Sequence, residues 1–154
     1  MLKGSDSVDH EKFMKLALKQ AQIAFDDDEI PVGAIVTNNG RVIAKGYNQM
    51  QRLNDPTAHA EMIAITAACN YLGSKYLNQC TLYVTVEPCV MCAGASRWAQ
   101  ISEIVFSAHD PKAGYQLLTS SKLFPPKIKI ISGILENESQ QLMLAFFEKL
   151  RGFN

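Results

Sequence analysis

The fold is decided by residues 81–92, which read TLYVTVEPCVMC. The first part, Thr81 to Val86, is apolar and β-branched and predicts a buried strand. Pro88 ends that strand, and the segment from Cys89 to Trp98 has the apolar spacing of a helix. A second apolar run, Ile101 to Phe106, predicts another strand directly after this helix. A strand, a helix and a strand in close succession are typical of a parallel unit in an α/β fold.

Further elements flank this unit on both sides. Upstream, the pattern predicts an amphipathic helix at 9–25, strands at 31–37 and 41–47 joined by Asn39-Gly40, and a helix at 59–72 that ends near Gly73. Asn-Gly between two strands is a strong hairpin signal, and a glycine often caps a helix C-terminus. Downstream, it predicts a long loop at 107–127, a last strand at 128–131 and a last helix at 138–151.

This order of elements predicts an α/β fold. We expect a three-layer helix-sheet-helix architecture around a five-stranded mixed sheet, largely parallel after the hairpin. Neither an internal repeat nor an interdomain linker interrupts the pattern, so that residues 1–154 are expected to form a single domain.

The overall composition is that of an ordinary globular protein without net charge. Of the 154 residues, 47% are hydrophobic and 19% charged, with 15 basic and 15 acidic side chains. This neutrality gives no global sign of nucleic-acid binding. The sequence has no run of about 18 apolar residues that would predict a membrane span. The polar segment from Met1 to His10 lacks the apolar core of a secretory signal, and we expect a cytoplasmic location.

Charge is unevenly distributed along the chain. Four consecutive acidic residues run from Asp26 to Glu29, whereas several basic residues follow Gln116: Lys122, Lys127, Lys129, Lys149 and Arg151. This pattern leaves room for a local basic surface in the second half of the chain.

Two short motifs carry the chemistry of a metal site, His59-Ala60-Glu61 and Pro88-Cys89-Val90-Met91-Cys92. A catalytic zinc ion takes three protein ligands and keeps a fourth position open for water. His59 at the start of one helix, and Cys89 and Cys92 at the start of another, can supply those three ligands. Positions i and i+3 share a helix face, and a helix N-terminus favours the thiolate form that binds metal. We therefore predict one Zn²⁺ ion per subunit.

Glu61 is predicted to be the catalytic acid and base. Two thiolates nearly cancel the charge of zinc and make it a milder acid than a zinc ion held by three histidines. A separate side chain that accepts and donates protons is therefore useful. Glu61 lies two residues after His59, where it can reach the attacking water without binding the metal. It would take a proton from this water, forming hydroxide, and pass it to the departing amine. The combination of H-x-E with P-C-x-x-C is the signature of zinc-dependent nucleobase deaminases.

Other interpretations of these motifs predict different chemistry. A Cys-x-x-Cys pair alone also serves in redox proteins and in structural zinc sites, and a structural site needs a fourth ligand. None of the remaining candidates stands at a natural spacing for that ligand: Cys69, Cys80, His10 and His109. We expect Cys69 and Cys80 to be inert buried thiols. A noncatalytic, zinc-stabilised nucleic-acid binder is a further alternative, although it would have no use for Glu61.

Around these motifs the chain resembles the cytidine deaminase superfamily, and more closely the bacterial tRNA-specific adenosine deaminases. The resemblance extends from about Phe13 to Arg151 and is carried by Ile30-Pro31-Val32-Gly33-Ala34, Asp55-Pro56-Thr57-Ala58-His59-Ala60-Glu61, Glu87-Pro88-Cys89-Val90-Met91-Cys92-Ala93-Gly94-Ala95, and the ending Phe146-Phe147. It implies a cytidine deaminase-like fold and hydrolytic deamination of adenosine to inosine at the wobble position of a tRNA anticodon, with attack on C6. It also implies a homodimer, for which the helix around Cys92 to Trp98 is a natural contact.

The same resemblance implies which residues contact the anticodon stem-loop. Asn48 would bind the flipped base, since an Asn amide both donates to and accepts from a purine edge. The other implied contacts are Val32 and Ala58 in the base pocket, Asp110 and Lys112 beside the flanking nucleotides, and Phe147 on the last helix. Lys149 and Arg151 would extend this RNA surface. From the residues alone, Asn48 and Asp110 would be ordinary turn residues.

Some local differences favour a free-base deaminase instead. Tyr115-Gln116-Leu117 follows Gly114, where the tRNA enzymes often have small residues and Ser. Trp98-Ala99 after Arg97 is similar to the guanine deaminases, although the end of this chain differs from theirs. Net neutrality also suits a small substrate. A deaminase of free guanine or cytosine is therefore the alternative function.

Overall fold

The computed structural model describes residues 8–152, apart from the side chain of Ser121. In this range the strands are β1 (Gly33–Asn38), β2 (Arg41–Tyr47), β3 (Cys80–Val86), β4 (Glu103–Ala108) and β5 (Lys129–Ser132). The α-helices are α1 (His10–Asp26), α2 (Met50–Leu53), α3 (Ala60–Leu72), α4 (Val90–Trp98), α5 (Tyr115–Leu118) and α6 (Glu136–Gly152), and a 3₁₀ helix covers Ser121–Leu123. The predicted domain of residues 1–154 also includes residues 1–7 and 153–154, which lie outside the described residues. Within residues 8–152, no helix is long and apolar enough to cross a membrane.

The strands form one mixed sheet in the order β2-β1-β3-β4-β5, which confirms the predicted five-stranded mixed sheet. β1 pairs antiparallel with β2 and with β3, whereas β3–β4 and β4–β5 are parallel. The strands after the hairpin, β3 to β5, are parallel to one another, which confirms that expectation, and the antiparallel contact of β1 with β3 joins them to the hairpin. β3 does run parallel to β2, with α3 as the crossover, but β1 lies between them and is antiparallel to both.

The local signals of the sequence are visible in the backbone. Asn39 (φ 52°) and Gly40 (φ 77°) both take left-handed conformations at the predicted hairpin, as a two-residue turn requires. Gly73 (φ 63°) ends α3 in the left-handed region, as predicted. Asp9 caps α1, and its side chain accepts a hydrogen bond from the amide of Lys12.

The sheet lies between two helical layers, as predicted. On one face, α1 and the segment that leads into α6 pack against the sheet through Phe13, Met14, Ala17, Ile35, Tyr83, Val105, Ile134 and Leu135. On the other face, α3 and α4 pack small side chains against the strands, among them Ala60, Ala64, Ala68 and Ala93 against Val36, Leu82, Val84 and Ile104. The small residues let α3 and α4 lie close to the strands that carry the metal motifs.

Two glycines bring helices into direct contact with strands. A Cβ on Gly33 would lie 2.1 Å from the carbonyl oxygen of Ala17 in α1, and a Cβ on Gly46 would lie 2.5 Å from that of Ala60 in α3. No other residue fits at such distances without displacement of the helix. Gly46 therefore fixes the start of α3, which carries Glu61, against β2.

Two segments depart from the predicted secondary structure. The predicted loop at 107–127 contains α5 and the 3₁₀ helix, and residues 50–53, for which no helix was predicted, form α2. Helices this short lack the apolar periodicity that identifies longer ones. In addition, β4 begins at Glu103, because the buried Ile101 still belongs to the turn after α4, where its amide donates to the carbonyl of Ser96.

Candidate active site

The two metal motifs meet at one edge of the sheet. His59 directly precedes α3 and Cys89 directly precedes α4, and both residues are extended. The N-termini of the two helices converge there, at the carboxyl end of β3. Nδ1 of His59 lies 3.6 Å from Sγ of Cys89 and 3.4 Å from Sγ of Cys92. The three ligand atoms lie within 4.8 Å of one another.

These separations fit a tetrahedral zinc ion. With Zn–S bonds of about 2.3 Å and a Zn–N bond of about 2.0 Å, tetrahedral angles require an N···S distance of roughly 3.5 Å. Among residues 8–152, no further His, Cys, Asp or Glu joins the group. Three ligands leave one coordination position open, as in catalytic rather than structural zinc sites.

The two thiols need a cation in order to ionise together. The hydrogen bond from the Cys92 thiol lowers the pKa of Cys89 to about 4. The Cys89 thiolate then raises the pKa of Cys92, as burial does too, and it also raises the pKa of His59. One negative charge is thus stable in the metal-free group, whereas the second needs a divalent cation beside it. The chemistry of the donor set therefore fits Zn²⁺, the predicted cofactor.

Glu61 lies beside the metal group without belonging to it. It is 4% exposed and lines the same cavity as His59 and Cys89. Burial raises the pKa of its carboxyl to about 7. A group whose pKa lies near neutral pH can both accept and donate a proton. This environment suits the predicted role of Glu61 as the proton shuttle.

A cavity of about 160 Å³ opens onto the metal group. Ligand pockets typically measure about 300 Å³ or more, so this cavity suits a small ligand. The lining is mostly apolar and comes from segments that are distant in sequence: Ile30, Val32, Asn48, Met50, His59, Ala60, Glu61, Val86, Glu87, Cys89, Asp110, Ala113 and Met143.

Of the three residues predicted for the base pocket, Asn48 and Val32 line this cavity. Asn48 is buried, its Nδ2 donates to the carbonyl of Ile30 (3.1 Å), and its Oδ1 accepts from the amide of Met50 (3.2 Å). A side-chain amide has two N–H donors and two acceptor lone pairs, so one of each remains for a ligand. Ala58 is buried nearby, but it is not among the described residues that line the cavity.

The cavity continues into a wider groove of about 530 Å³. Five residues line both spaces: Ile30, Val86, Asp110, Ala113 and Met143. One wall of the groove is the segment 108–113, and the other is a stripe on α6 formed by Gln140, Met143, Leu144 and Phe147. The groove therefore brings together the predicted contacts Asp110, Lys112 and Phe147. Asp110 also has the turn role that its position suggests, since Oδ1 accepts from the amides of residues 112 and 113 at 3.0 Å each.

The cations predicted for this surface differ in their availability. Lys112 and Arg151 are exposed. Arg151 lies one helical turn beyond Phe147 and continues the row of α6 that lines the groove. Nζ of Lys149, in contrast, lies 2.8 Å from Oδ1 of Asp28. Lys149 thus ties α6 to the acidic run after α1, and Lys112 and Arg151 remain as the candidate phosphate contacts.

Two buried carboxylates, to which the sequence analysis gave no role, hold the segments around the cavity. Glu29 belongs to the acidic run, yet it is 2% exposed and accepts hydrogen bonds from the amides of residues 51 and 52 (3.0 and 2.7 Å). Glu87 accepts from the amides of residues 110 and 116, at 3.1 Å each. The only sequence feature that could have pointed to a role for Glu87 was its position, as a charged residue at the end of an apolar strand. Nothing local distinguished Glu29 from its exposed neighbours.

The two remaining cysteines lie away from the metal group. Cys80 is buried at the start of β3, while Cys69 is only partly buried on α3. Burial raises the pKa of both thiols. A protonated thiol is a poor nucleophile and a poor metal ligand, in line with the expectation that both are inert.

Comparisons with known proteins extend over most of the chain. The family described as "Cytidine and deoxycytidylate deaminase zinc-binding region" matches residues 7–108. The tRNA-specific adenosine deaminase of Aquifex aeolicus is 45% identical over 145 residues, which are 92% of this chain and 95% of that protein. A structure from studies of A-to-I editing by tRNA:A34 deaminases at the wobble position is 41% identical, with a TM-score of 0.78, and covers 85% of this chain and 98% of its own. Guanine deaminase from Bacillus subtilis is 42% identical with a TM-score of 0.63, but over 66% of this chain and 65% of its own.

Proposed function

The chain belongs to the zinc-binding cytidine and deoxycytidylate deaminase family, and from its tRNA-specific relatives we propose that it converts adenosine to inosine at the wobble position of a tRNA anticodon. The observation that carries this function is the continuity between the metal cavity and the groove. The cavity has room for one base, and the groove beside it has room for flanking nucleotides. A free base would leave the groove unused.

The reaction exchanges the exocyclic amine of adenine for oxygen. A C–O bond forms at C6 of the base and the C–N bond breaks. Of the two protons of water, one ends on N1 of the product and the other leaves with the amine as ammonia. His59, Cys89 and Cys92 would hold the zinc ion, which supplies Lewis-acid activation of water at neutral pH. Glu61 would accept the proton of this water on its carboxylate and deliver it to the departing amine.

The remaining cavity residues would bind and enclose the flipped base. Asn48 has an N–H and a lone pair left for the purine edge. The apolar side chains of Ile30, Val32 and Val86 would cover the base and exclude water, and in a dry site the interactions of Glu61 are stronger than in bulk solvent.

Turnover of RNA and of free bases distinguishes the two deaminase functions. Purified protein should convert an anticodon stem-loop that carries adenosine at the wobble position, and it should leave a stem-loop with adenosine at a neighbouring position unchanged. Guanine and cytosine, assayed in parallel, should not be deaminated. Deamination of guanine without conversion of the stem-loop would establish the free-base alternative, which the match to guanine deaminase supports.

Stem-loop binding should weaken steeply with salt, because RNA releases counterions when the protein contacts its phosphates. Lys112→Gln and Arg151→Gln should each reduce the slope of log Kd against log salt by about 0.7–0.9, the value for one phosphate contact. The matched control is Lys129→Gln, because Lys129 pairs with Glu103 (3.9 Å) at the amino ends of the parallel strands, on the opposite edge from the groove. Unchanged slopes in both test variants would show that this groove does not bind the RNA.

Asn48→Ala should reduce turnover and leave the salt dependence unchanged, since a base contact neutralises no phosphate. We expect kcat/KM on the stem-loop to fall by about tenfold to a hundredfold, as one or two hydrogen bonds to the base are lost. Asn70→Ala, at an exposed position of α3, is the control. If Asn48→Ala keeps its kcat/KM, Asn48 is a turn residue and does not bind the base.

A homodimer, a single domain and a cytoplasmic location complete the proposal. On α4, Val90 and Trp98 lie two turns apart, and Trp98 is 81% exposed. Large apolar side chains exposed on a helix are typical of protein contact surfaces, which supports a second copy of the chain as the partner of this helix. The relatives are named as tRNA-specific, and a protein that acts on tRNA would meet its substrate in the cytoplasm.

A further inference from the structure

Glu87 directly follows β3, and the segment 109–116 closes around its carboxylate. Glu87 is 5% exposed. Its Oε1 accepts a hydrogen bond from the amide of Asp110 and lies 3.4 Å from Nδ1 of His109, and its Oε2 accepts from the amide of Gln116. One buried side chain therefore binds both ends of this segment.

Gly114 packs directly on the same carboxylate. A Cβ at Gly114 would lie 2.3 Å from Cδ of Glu87 and 2.5 Å from each of its oxygens. The φ angle of Gly114 is −63°, which every residue can adopt. Contact with Glu87, rather than the backbone conformation, thus favours glycine here, because a larger residue would push the carboxylate away from its hydrogen bonds. The next amide, that of Tyr115, donates to the carbonyl of Pro88 at 2.9 Å.

The segment held in this way forms one wall of the groove. Asp110, Lys112 and Ala113 all line the groove, and the Asp110 side chain closes the turn between them. The turn is therefore internally bonded, and its two ends are joined to the sheet through Glu87. Glu87 borders the metal cavity too, but its oxygens are engaged by backbone amides of the segment.

We propose that Glu87 is a positioning residue that holds the segment 109–116 in the shape that binds nucleotides next to the reacting base. The inference rests on the proposed function in one respect, that the ligand of the groove is RNA. Glu87 does not act on the reacting atoms, since proton transfer belongs to Glu61. Loss of its two hydrogen bonds leaves the amides of residues 110 and 116 without their acceptor and loosens the segment, which weakens RNA binding and spares the chemical step.

Steady-state kinetics test whether Glu87 affects RNA binding and not the chemical step. Glu87→Gln keeps the side-chain shape but replaces one acceptor oxygen with an amide group that cannot accept. We expect KM for the stem-loop to rise about tenfold or more, with kcat within about twofold of wild type and zinc at one ion per chain. Glu103→Gln is the matched control, because Glu103 bonds Thr81 at the opposite end of β4 and should leave KM unchanged. An unchanged KM in Glu87→Gln overturns the proposal, as does a loss of zinc that accounts for the lost activity.

Amide hydrogen exchange tests the same inference without RNA. In Glu87→Gln, the amides of residues 110 and 112–116 should exchange faster than in the wild type, while those of α4 keep their protection. Equal exchange in both proteins would contradict the proposal. Hydrogen exchange does not depend on the substrate. If the wild type failed to convert the stem-loop, the proposed function would be refuted, but the exchange rates would still show whether Glu87 holds the segment.

Gly114→Ala provides a second, coupled variant. In the wild type the added methyl group meets the Glu87 carboxylate and should raise KM for the stem-loop. In a Glu87→Ala background that contact is absent, and the same change should have little further effect, since residues that act through one contact are not additive. Additive effects on KM would show that the segment is positioned by something other than Glu87.

Discussion

Glu61→Gln is expected to bind one zinc ion per chain and to lose at least about a hundredfold in kcat on the anticodon stem-loop, because positioned acid–base groups contribute about 10²–10⁴-fold. Gln has the size and shape of Glu, but it cannot take up the proton of the attacking water. Glu61 is also outside the group of three ligand atoms, so that metal binding should be retained. Metal analysis and kcat, measured on the same preparation, check both statements.

Glu103→Gln again serves as the control, since it changes a partly buried carboxylate at the far edge of the sheet. Two results would contradict the assignment of Glu61. Loss of stoichiometric zinc in Glu61→Gln would mean that this residue holds the metal or the fold. Activity close to that of the wild type would mean that another group transfers the proton.

His59→Ala, Cys89→Ala and Cys92→Ala should each lose zinc, activity and a large part of the free energy of unfolding. A metal that binds the folded chain adds its binding energy to stability, which amounts to about 10–16 kcal/mol for zinc-finger peptides at pH 7. We expect a smaller loss here, because the sheet and helices bury their own core. Metal analysis and thermal unfolding measure the two effects, with Cys69→Ala as the control that keeps its zinc.

The pH dependence of zinc binding follows from the same residues. The pKa of Cys92 is raised, so that the metal-free protein carries a proton there, which zinc must displace. Zinc affinity should therefore rise with pH and fall as the solution is acidified. If any one of the three ligand variants keeps both full zinc and full turnover, the ligand set is wrong.

The sequence was sufficient to predict the metal group and most of the fold, because the signals for both are local. Asn39-Gly40 needs only its own backbone conformation to make the hairpin, and Cys89 and Cys92 share a helix face through their spacing. His59 was placed with them on chemical grounds, and the structure brings Nδ1 to within 3.6 Å of both sulfurs.

What the sequence did not predict depends on contacts between distant segments. Glu29 lies in a run of four acidic residues, and only the fold buries it under the amides of α2. Lys149, expected on an RNA surface, also pairs with Asp28, 121 positions away in sequence, and nothing local predicted that ion pair. The antiparallel contact of β1 with β3 is likewise a property of the assembled sheet, since each strand alone has the same pattern in either direction.

The nearness of the two zinc-binding sulfurs makes the metal a protecting group as well as a cofactor. Without zinc, the hydrogen bond from the Cys92 thiol lowers the pKa of Cys89 and so favours its thiolate form. A thiolate can attack a disulfide such as oxidised glutathione and release one glutathione thiolate. Cys92 then no longer faces an anionic sulfur, and it can lose its proton and displace the second glutathione to close an internal disulfide. That product has no thiolates for zinc and recovers only after reduction. Zinc bound to both sulfurs should therefore protect them from this oxidation.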